Sequence, residues 1–161
     1  MPFPSSLNRV TTPIEWSSKS SLEEASGSWR TVLLVDDEPF ILRAMARFLE
    51  RSSFRAITCS TPSVAIDHVA RDDIDLVVTD MTMPEMSGLE LLCVIRKLDA
   101  TLPTVLMTGC TDLGLFSEAI ECGANEFLFK PFELGVFGHL VERLVRPRRA
   151  IDSCPARLVD S

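Results

Sequence analysis

Short apolar runs alternate along the chain with longer segments in which apolar residues recur every three or four positions. The apolar runs cover residues 31–35, 54–58, 75–79, 103–107 and 126–129. Runs of this length and composition are typical of strands that are buried on both faces of a parallel sheet. The sequence therefore predicts five strands, each followed by a segment with the period of a helix.

The segments between the strands carry helix signals. The first predicted helix follows Pro39 and has helical spacing at Phe40, Ile41, Ala44, Met45, Phe48 and Leu49. The second is expected to start at Pro62 behind a Thr61 cap, and Gly123 follows the fourth as a typical stop. The remaining helices are predicted at 88–98, 112–121 and 132–146. In the helix at 88–98 we expect an inward face formed by Leu89, Leu92, Val94 and Ile95.

This alternation indicates an α/β domain with a five-stranded parallel sheet and five helices. Right-handed crossovers place helices on both faces, so the sheet is expected to be doubly wound. The domain is predicted to occupy residues 29–147. Residues 1–28, with eight serines and three prolines, are expected to form a disordered leader, and residues 148–161 a short tail.

Charged and polar residues follow four of the five predicted strands. Asp36 and Asp37 follow the first, Asp80 the third, Thr108 the fourth and Lys130 the fifth. Ligands of open parallel sheets bind beyond the carboxyl ends of the strands, so we expect these side chains to converge at one edge. Taken alone, the aspartate pair is better explained as a turn or a helix cap; the full set at successive strand ends favours a functional site.

Three converging carboxylates repel each other unless a cation joins them, and Mg²⁺ is the hard cation that typically takes carboxylate ligands. A carboxylate beside such a metal can attack phosphorus and form an aspartyl phosphate. Lys130 would neutralise charge on the transferred group, and the Thr108 hydroxyl would donate a hydrogen bond to it. The backbone amides of Met81 and Gly109 are expected to do the same, with Gly109 leaving the approach free of a side chain.

Composition and charge argue against several kinds of partner and site. The 161-residue chain has a formal net charge of −7 and a pI of about 4.8, so no direct contact with nucleic acid is expected. Five scattered cysteines without a Cys-x-x-Cys pair indicate neither a zinc site nor a disulfide framework, and they fit a reducing cytoplasm. No apolar run reaches the roughly 18 residues that span a bilayer, so no membrane association is expected.

Four segments resemble the receiver domain of bacterial two-component response regulators, of the chemotaxis-regulator-like type. They are VLLVDDEP (32–39), DLVVTDMTMPEMSGLELL (75–92), PTVLMTG (103–109) and GANEFLFKPF (123–132). Their order and spacing are those of the family. The resemblance implies a flavodoxin-like sheet with strand order 2-1-3-4-5.

The resemblance also implies roles for single residues. Asp80 would be the phosphoacceptor, and Mg²⁺ (or Mn²⁺) would be bound by Asp37, Asp80 and the backbone carbonyl of Thr82, with Asp36 acting through water. Thr108 would be the switch hydroxyl and Phe127 the switch aromatic. Lys130 would pair with the phosphoryl group, and its bond to Pro131 is expected to be cis. The phosphodonor would be a histidine kinase or a histidine phosphotransfer protein.

A switch of this kind would act through a protein surface. Phosphorylation would change the face formed by the fourth helix, the fifth strand and the fifth helix, which would bind an unknown downstream protein or drive a homodimer. Leu115, Val136 and Leu140 are the candidates for that contact, although they also suit scattered surface apolar residues. Gly114, Gly135 and Gly138 lie inside these helices, which suggests a soft surface because glycine disfavours helix.

Two other functions fit parts of the sequence. A degenerate receiver would be an interaction module that is never phosphorylated, but the complete set of site residues disfavours it. An aspartyl-phosphate hydrolase would be an enzyme, but those enzymes carry Asp-x-Asp after the first strand, whereas this chain has Asp36-Asp37. The sequence therefore predicts a single-domain cytoplasmic phosphoacceptor that is not an enzyme.

Overall fold

The computed structural model describes residues 29–109 and 113–145. Five parallel strands form one sheet in the order β2-β1-β3-β4-β5, which confirms the predicted fold. The strands are β1 (Arg30–Val35), β2 (Phe54–Cys59), β3 (Leu76–Asp80), β4 (Thr104–Thr108) and β5 (Glu126–Phe129). The helices are α1 (Pro39–Arg51), α2 (Pro62–Arg71), α3 (Gly88–Leu98), α4 (Leu113–Glu121) and α5 (Leu134–Leu144). The predicted leader, the tail and Cys110 lie outside the described residues.

The inner strands are buried because helices cover both faces of the sheet. Every residue of β3 and β4 is buried, and alternate residues point to opposite sides. One face packs against α1 and α5, where Leu34, Val78 and Phe137 belong to the largest core cluster. The other face packs against α2, α3 and α4 in two smaller clusters. The edge strands β2 and β5 retain exposed positions.

Helix α3 has the predicted bounds but not the predicted rotation. Its fully buried positions are Gly88, Leu91, Leu92 and Ile95. Leu89 and Val94, which we expected to face inward, are only half-buried. The reason is the close approach of Gly88 to the end of β3, where its N–H donates to the Met81 carbonyl at 2.9 Å. This contact turns the Gly88 side of the helix toward the sheet.

Local capping interactions set the ends of the helices around the site. Ser87 and Glu90 form a capping box at the start of α3, in which each side chain accepts a hydrogen bond from the other residue's backbone N–H. At the end of α4, Gly123 has a φ of +90°, which glycine adopts readily. The N–H of Ala124 donates to the Ala119 carbonyl at 2.8 Å, completing a Schellman motif. The predicted stop at Gly123 is confirmed.

The two glycines of α5 have different surroundings. A Cβ atom at Gly138 would lie 2.6 Å from the Phe48 ring of α1, whereas one at Gly135 would meet nothing within 4 Å. Gly138 therefore allows α1 and α5 to pack closely. Among residues 29–109 and 113–145, no helix has both the length and the apolar character that a bilayer crossing requires.

Candidate functional site

The parallel sheet brings the predicted polar residues to one edge. Asp36 follows β1, Asp80 ends β3, and Lys130 follows β5. Carboxylate oxygens of Asp36, Asp37 and Asp80 lie within 4.8 Å of one another. The Lys130 Nζ lies 2.7 Å from Asp80 Oδ1 and 3.0 Å from Asp36 Oδ2. Three carboxylates and one ammonium group therefore share a single site.

Asp36 is fully buried and held from two sides. Its Oδ1 accepts a hydrogen bond from the Glu38 N–H at 2.8 Å, and its Oδ2 accepts one from Lys130. Its own N–H donates to the Cys59 carbonyl, which extends the pairing with β2 by one residue. A buried carboxylate requires partners of this kind, because desolvation of an unpaired charge is costly. Asp36 is thereby fixed, whereas Asp37 beside it is exposed.

Asp80 has a small exposed fraction, 7%, at the end of β3. Its Oδ2 accepts a hydrogen bond from the Thr82 N–H at 3.1 Å, and its Oδ1 contacts Lys130. Burial alone would lower the pKa of Lys130, but the hydrogen bonds and negative charges of Asp80 and Asp36 outweigh it and raise that pKa above 10.5. Lys130 therefore stays protonated at neutral pH and holds the two carboxylates together.

Strands β4 and β5 position Thr108 and Phe127, the two residues for which the sequence predicted a switch role. The Lys130 N–H donates to the Thr108 carbonyl at 2.8 Å, so the ends of β4 and β5 are tied together. Thr108 is buried, one residue beyond Met107, the β4 partner of Asp80. Phe127 is half-buried and makes an edge contact with the Phe116 ring of α4, with 4.9 Å between centroids. The expected cis bond between Lys130 and Pro131 is confirmed.

The predicted role of one backbone amide needs correction. The Met81 N–H donates to the Met107 carbonyl at 2.8 Å in the β3–β4 ladder, so it is already engaged. The Thr82 N–H, one residue later, is the amide that reaches the Asp80 carboxylate. Gly109 follows β4 as expected, but a Cβ there would meet nothing within 4 Å. The space beside Gly109 is therefore open, and its predicted role stays a prediction.

Gly88 is the glycine that the site requires, and the sequence reasoning missed it. A Cβ on Gly88 would lie 2.2 Å from the Asp80 carbonyl oxygen and 3.0 Å from the Met81 Cα. Both are backbone atoms that cannot move without shifting Asp80 itself. The available signal was the Ser87-Gly88-Leu89-Glu90 capping pattern, which marks a helix start close behind the aspartate.

The donor set fits a hard divalent cation. Three aspartates with oxygens in mutual reach suit Mg²⁺, which takes carboxylate oxygens and keeps several waters. With one ammonium group opposing three carboxylates, the ionised site has two uncompensated negative charges, the number that one such cation neutralises. Asp37 is the exposed member of the group and gives the site an open side. This arrangement fits the magnesium site that the sequence predicted at the end of the strands.

The three candidate contact residues differ in exposure. Val136 is 53% exposed on α5, whereas Leu115 on α4 is half-buried. Leu140 is also half-buried and packs against the core cluster shared with α1. Of these three residues, only Val136 is largely exposed on the surface that the structure describes. Phe129 on β5 is exposed to the same extent.

The comparisons with known proteins agree with this geometry. The model of the response regulator receiver domain family matches residues 32–142. The transcriptional regulatory protein KdpE of Mycobacterium tuberculosis is 34% identical over 119 residues, which cover 74% of this chain and 52% of KdpE. The phosphoglycerate transport system transcriptional regulatory protein PgtA of Salmonella typhimurium is 33% identical over 121 residues, covering 75% of this chain and 29% of PgtA.

A solved structure gives the same result for the fold. The crystal structure of a response regulator receiver protein from Pseudomonas putida superimposes with a TM-score of 0.69 at 28% identity, covering 73% of this chain and 99% of that one. The two curated relatives are longer, and this chain spans at most about half of either. The family match at residues 32–142 covers the acidic site and nearly all of the five-stranded sheet. The chain belongs to the response regulator receiver domain family of two-component systems.

Proposed function

We propose that this chain is a cytoplasmic response regulator receiver domain that accepts a phosphoryl group on Asp80. The donor would be the phosphohistidine of a histidine kinase or of a histidine phosphotransfer protein. The observation that carries the proposal is the position of Asp80, whose carboxylate contacts the Lys130 ammonium group at 2.7 Å and lies within 4.8 Å of oxygens of the other two aspartates. Receiver domains are in general phosphoacceptor switches and not enzymes, and we assign this chain the same character.

The transfer is a displacement at phosphorus. A carboxylate oxygen of Asp80 attacks the phosphorus atom, a new P–O bond forms, and the P–N bond to the donor imidazole breaks, leaving the electron pair on nitrogen. Lys130 moves from its carboxylate partners toward the phosphoryl oxygens and neutralises part of their charge. The Thr82 N–H, which already reaches Asp80 Oδ2, is placed to donate to a phosphoryl oxygen, and the Gly109 N–H would do so from β4.

A bound Mg²⁺ or Mn²⁺ would supply positive charge to the phosphoryl oxygens. Asp37 and Asp80 would hold it directly, together with the Thr82 carbonyl, and Asp36 would act through water. Asp36 has a second task that does not need the metal, since its fixed carboxylate orients Lys130. Because Asp36 is buried and Asp37 is exposed, the two neighbouring aspartates have different roles.

The switch would run from the phosphoryl group to a protein surface. Thr108 turns toward the phosphoryl oxygens, and Phe127 moves into the space that the hydroxyl leaves. Phe127 contacts Phe116, which contacts the exposed Phe129 at 5.6 Å between centroids. Movement of Phe127 would therefore alter the surface of α4, β5 and α5, where a downstream protein or a second copy binds, with Val136 as a contact.

Acetyl phosphate serves as a small phosphodonor in the test. In the presence of Mg²⁺ the chain should gain the mass of one phosphoryl group, and Asp80→Asn should gain none. Asn retains the size of the side chain, so a folded Asp80→Asn protein separates loss of the acceptor from loss of the fold. A chain that gains nothing would be a degenerate receiver, and multiple-turnover phosphate release from a chain that never carries a detectable phosphoryl group would indicate a hydrolase. Either result would refute the proposal.

A further inference from the structure

Two cysteines outside the acidic site lie side by side. Cys93 is on α3, and Cys122 follows the last residue of α4. Their Sγ atoms are 2.9 Å apart, with the Cys93 thiol donating to Cys122 Sγ. A disulfide requires a separation of about 2.0 Å, so the two sulfur atoms need to approach by roughly 1 Å. The fold thus pairs two cysteines that are 29 positions apart, which their spacing in the sequence did not indicate.

The pair is accessible to small oxidants. Both cysteines are half-buried and free, and they line an open groove of about 460 Å³ between α3 and α4. Cys59, in contrast, is only 2% exposed, so an oxidant in solution cannot reach its thiol. Among the described cysteines, the paired ones are therefore the candidates for oxidation.

The charges around the groove select the type of oxidant. Its wall carries Glu90 and Lys97 from α3 and Glu118 and Glu121 from α4. The hydrogen bond with Cys93 raises the pKa of the Cys122 thiol, as do burial and the negative charges of Cys93, Glu118 and Glu121. Negatively charged thiols and disulfides are repelled from such a groove. A small neutral hydroperoxide is not.

A metal ion is a poorer explanation of the pair. Two thiolates on a tetrahedral zinc ion, each about 2.3 Å from the metal, are about 3.8 Å apart, well beyond the observed separation. Among residues 29–109 and 113–145, a cluster of three or more candidate ligands occurs only at the aspartates of the acidic site. The geometry points to sulfur–sulfur chemistry.

We propose that Cys93 and Cys122 form a reversible disulfide when the chain meets a hydroperoxide. One thiolate attacks the peroxide oxygen, the O–O bond breaks, and a sulfenic acid forms with release of hydroxide or alkoxide. The second thiol attacks the sulfenic sulfur and displaces hydroxide, which its own proton converts to water. Two electrons pass from the thiol pair to the peroxide, and with hydrogen peroxide the products are one disulfide and two waters.

The disulfide would act on the switch through a shared core cluster. Met81, Leu92, Leu106 and Ala119 form this cluster, and Cys122 and Phe127 pack against it. Met81 follows Asp80 directly, so the cluster connects the phosphoacceptor to α4 and to β5. A covalent link from α3 to the end of α4 would restrict movement of this cluster and of Phe127. This consequence rests on the proposed function, and we expect oxidation to weaken binding of a phosphoryl mimic.

The first experiment tests the bond alone. The full chain is treated with hydrogen peroxide, its remaining thiols are blocked with N-ethylmaleimide, and it is analysed by intact mass and peptide mapping. A peptide linked through Cys93 and Cys122, absent after dithiothreitol and in Cys93→Ser or Cys122→Ser, supports the proposal. The double variant Cys110→Ser/Cys154→Ser is the matched control and should still form the link. No linked peptide, or a link that joins other cysteines, overturns the proposal.

The second experiment tests the coupling by calorimetry. Beryllofluoride with Mg²⁺ is titrated into reduced and oxidised chain, and we expect binding about fivefold or more weaker after oxidation. Cys93→Ser should bind equally well before and after peroxide. Equal affinities of the reduced and oxidised wild-type chain overturn the regulatory role. Failure of the reduced chain to bind would instead count against the proposed function, whereas the mapping result would stand on its own.

Discussion

At the scale of single residues, the acidic site depends on how Lys130 divides its contacts. Its ammonium group lies 3.0 Å from buried Asp36 and 2.7 Å from Asp80. Under the proposed function, a divalent cation would use the same two carboxylates, and the incoming phosphorus would use that of Asp80. Lys130 would therefore both stabilise the site in the absence of metal and compete with the metal, and substitution separates these two effects.

Lys130→Met should bind Mg²⁺ more tightly than the wild type, because one competing positive charge is removed. The same substitution should lower the free energy of unfolding without metal by about 1–3 kcal/mol, since Asp36 stays buried with one charged partner fewer. Phosphorylation by acetyl phosphate should nevertheless fall. Mg²⁺ titration and urea unfolding measure the two effects.

Lys97→Met is the matched control for this prediction. Lys97 is an exposed lysine on α3, outside the acidic site, so its replacement should leave Mg²⁺ affinity and stability nearly unchanged. Weaker Mg²⁺ binding in Lys130→Met would show that the lysine assists the metal and would contradict the assigned competition.

A second prediction at the residue scale compares two glycines near the site. Gly88→Ala should destabilise the fold by about 1–3 kcal/mol and displace Asp80, because the new Cβ would lie 2.2 Å from a backbone oxygen. Gly109→Ala meets open space and should change stability by less than about 0.5 kcal/mol. Urea unfolding of both variants checks the difference. Equal stabilities would show that the β3–α3 approach is looser than described.

At the scale of elements, the sequence predicted what depends on local pattern and failed where a contact between elements decides. The bounds of α3 follow from its apolar spacing and from the Ser87 cap. Its rotation depends on the contact between Gly88 and the end of β3. The spacing of apolar residues along the helix gives no information about that contact. The meeting of Asp36, Asp80 and Lys130 followed from the rule for strand ends. The Thr82 amide, and not that of Met81, reaches the Asp80 carboxylate because the Met81 amide is paired with β4. Predicting this would have required the register between β3 and β4.

Helix α5 supplies a prediction at this scale. Gly135→Ala should raise the free energy of unfolding by up to about 1 kcal/mol, because alanine favours helix and the new methyl group meets no atom. Gly138→Ala makes the same change of propensity but places its Cβ 2.6 Å from the Phe48 ring, so it should be less stable than Gly135→Ala. Thermal unfolding gives the ranking. A reversed ranking would contradict the assigned packing of α1 on α5.

At the scale of the whole molecule, the core clusters on the two faces of the sheet have different roles. The core cluster shared by α1 and α5 is the largest and holds the domain together. The smaller cluster beneath α4 contains Met81 and contacts Phe127, so it connects the acidic edge to the surface of α4 and β5. A phosphoryl group added at the acidic edge could therefore affect the surface of α4 and β5 through this smaller cluster.

This division predicts different outcomes for two substitutions on α5. Leu140→Glu should destabilise the fold, because Leu140 packs against the large core cluster. Val136→Glu should leave stability nearly unchanged but weaken a phosphorylation-dependent partner or homodimer contact, because Val136 is 53% exposed. Urea unfolding and light scattering with beryllofluoride distinguish the two. A phosphorylation-dependent complex that survives Val136→Glu would exclude this residue from the contact.

The most direct test of the account is chemical identification of the phosphorylated residue. Chain phosphorylated with acetyl phosphate and Mg²⁺ is reduced with borohydride, which converts an aspartyl phosphate to homoserine, and is then mapped by mass spectrometry. The account predicts homoserine at position 80, none without Mg²⁺ and none in Asp80→Asn. Homoserine at position 36 or 37, or at no position in the phosphorylated chain, would contradict it.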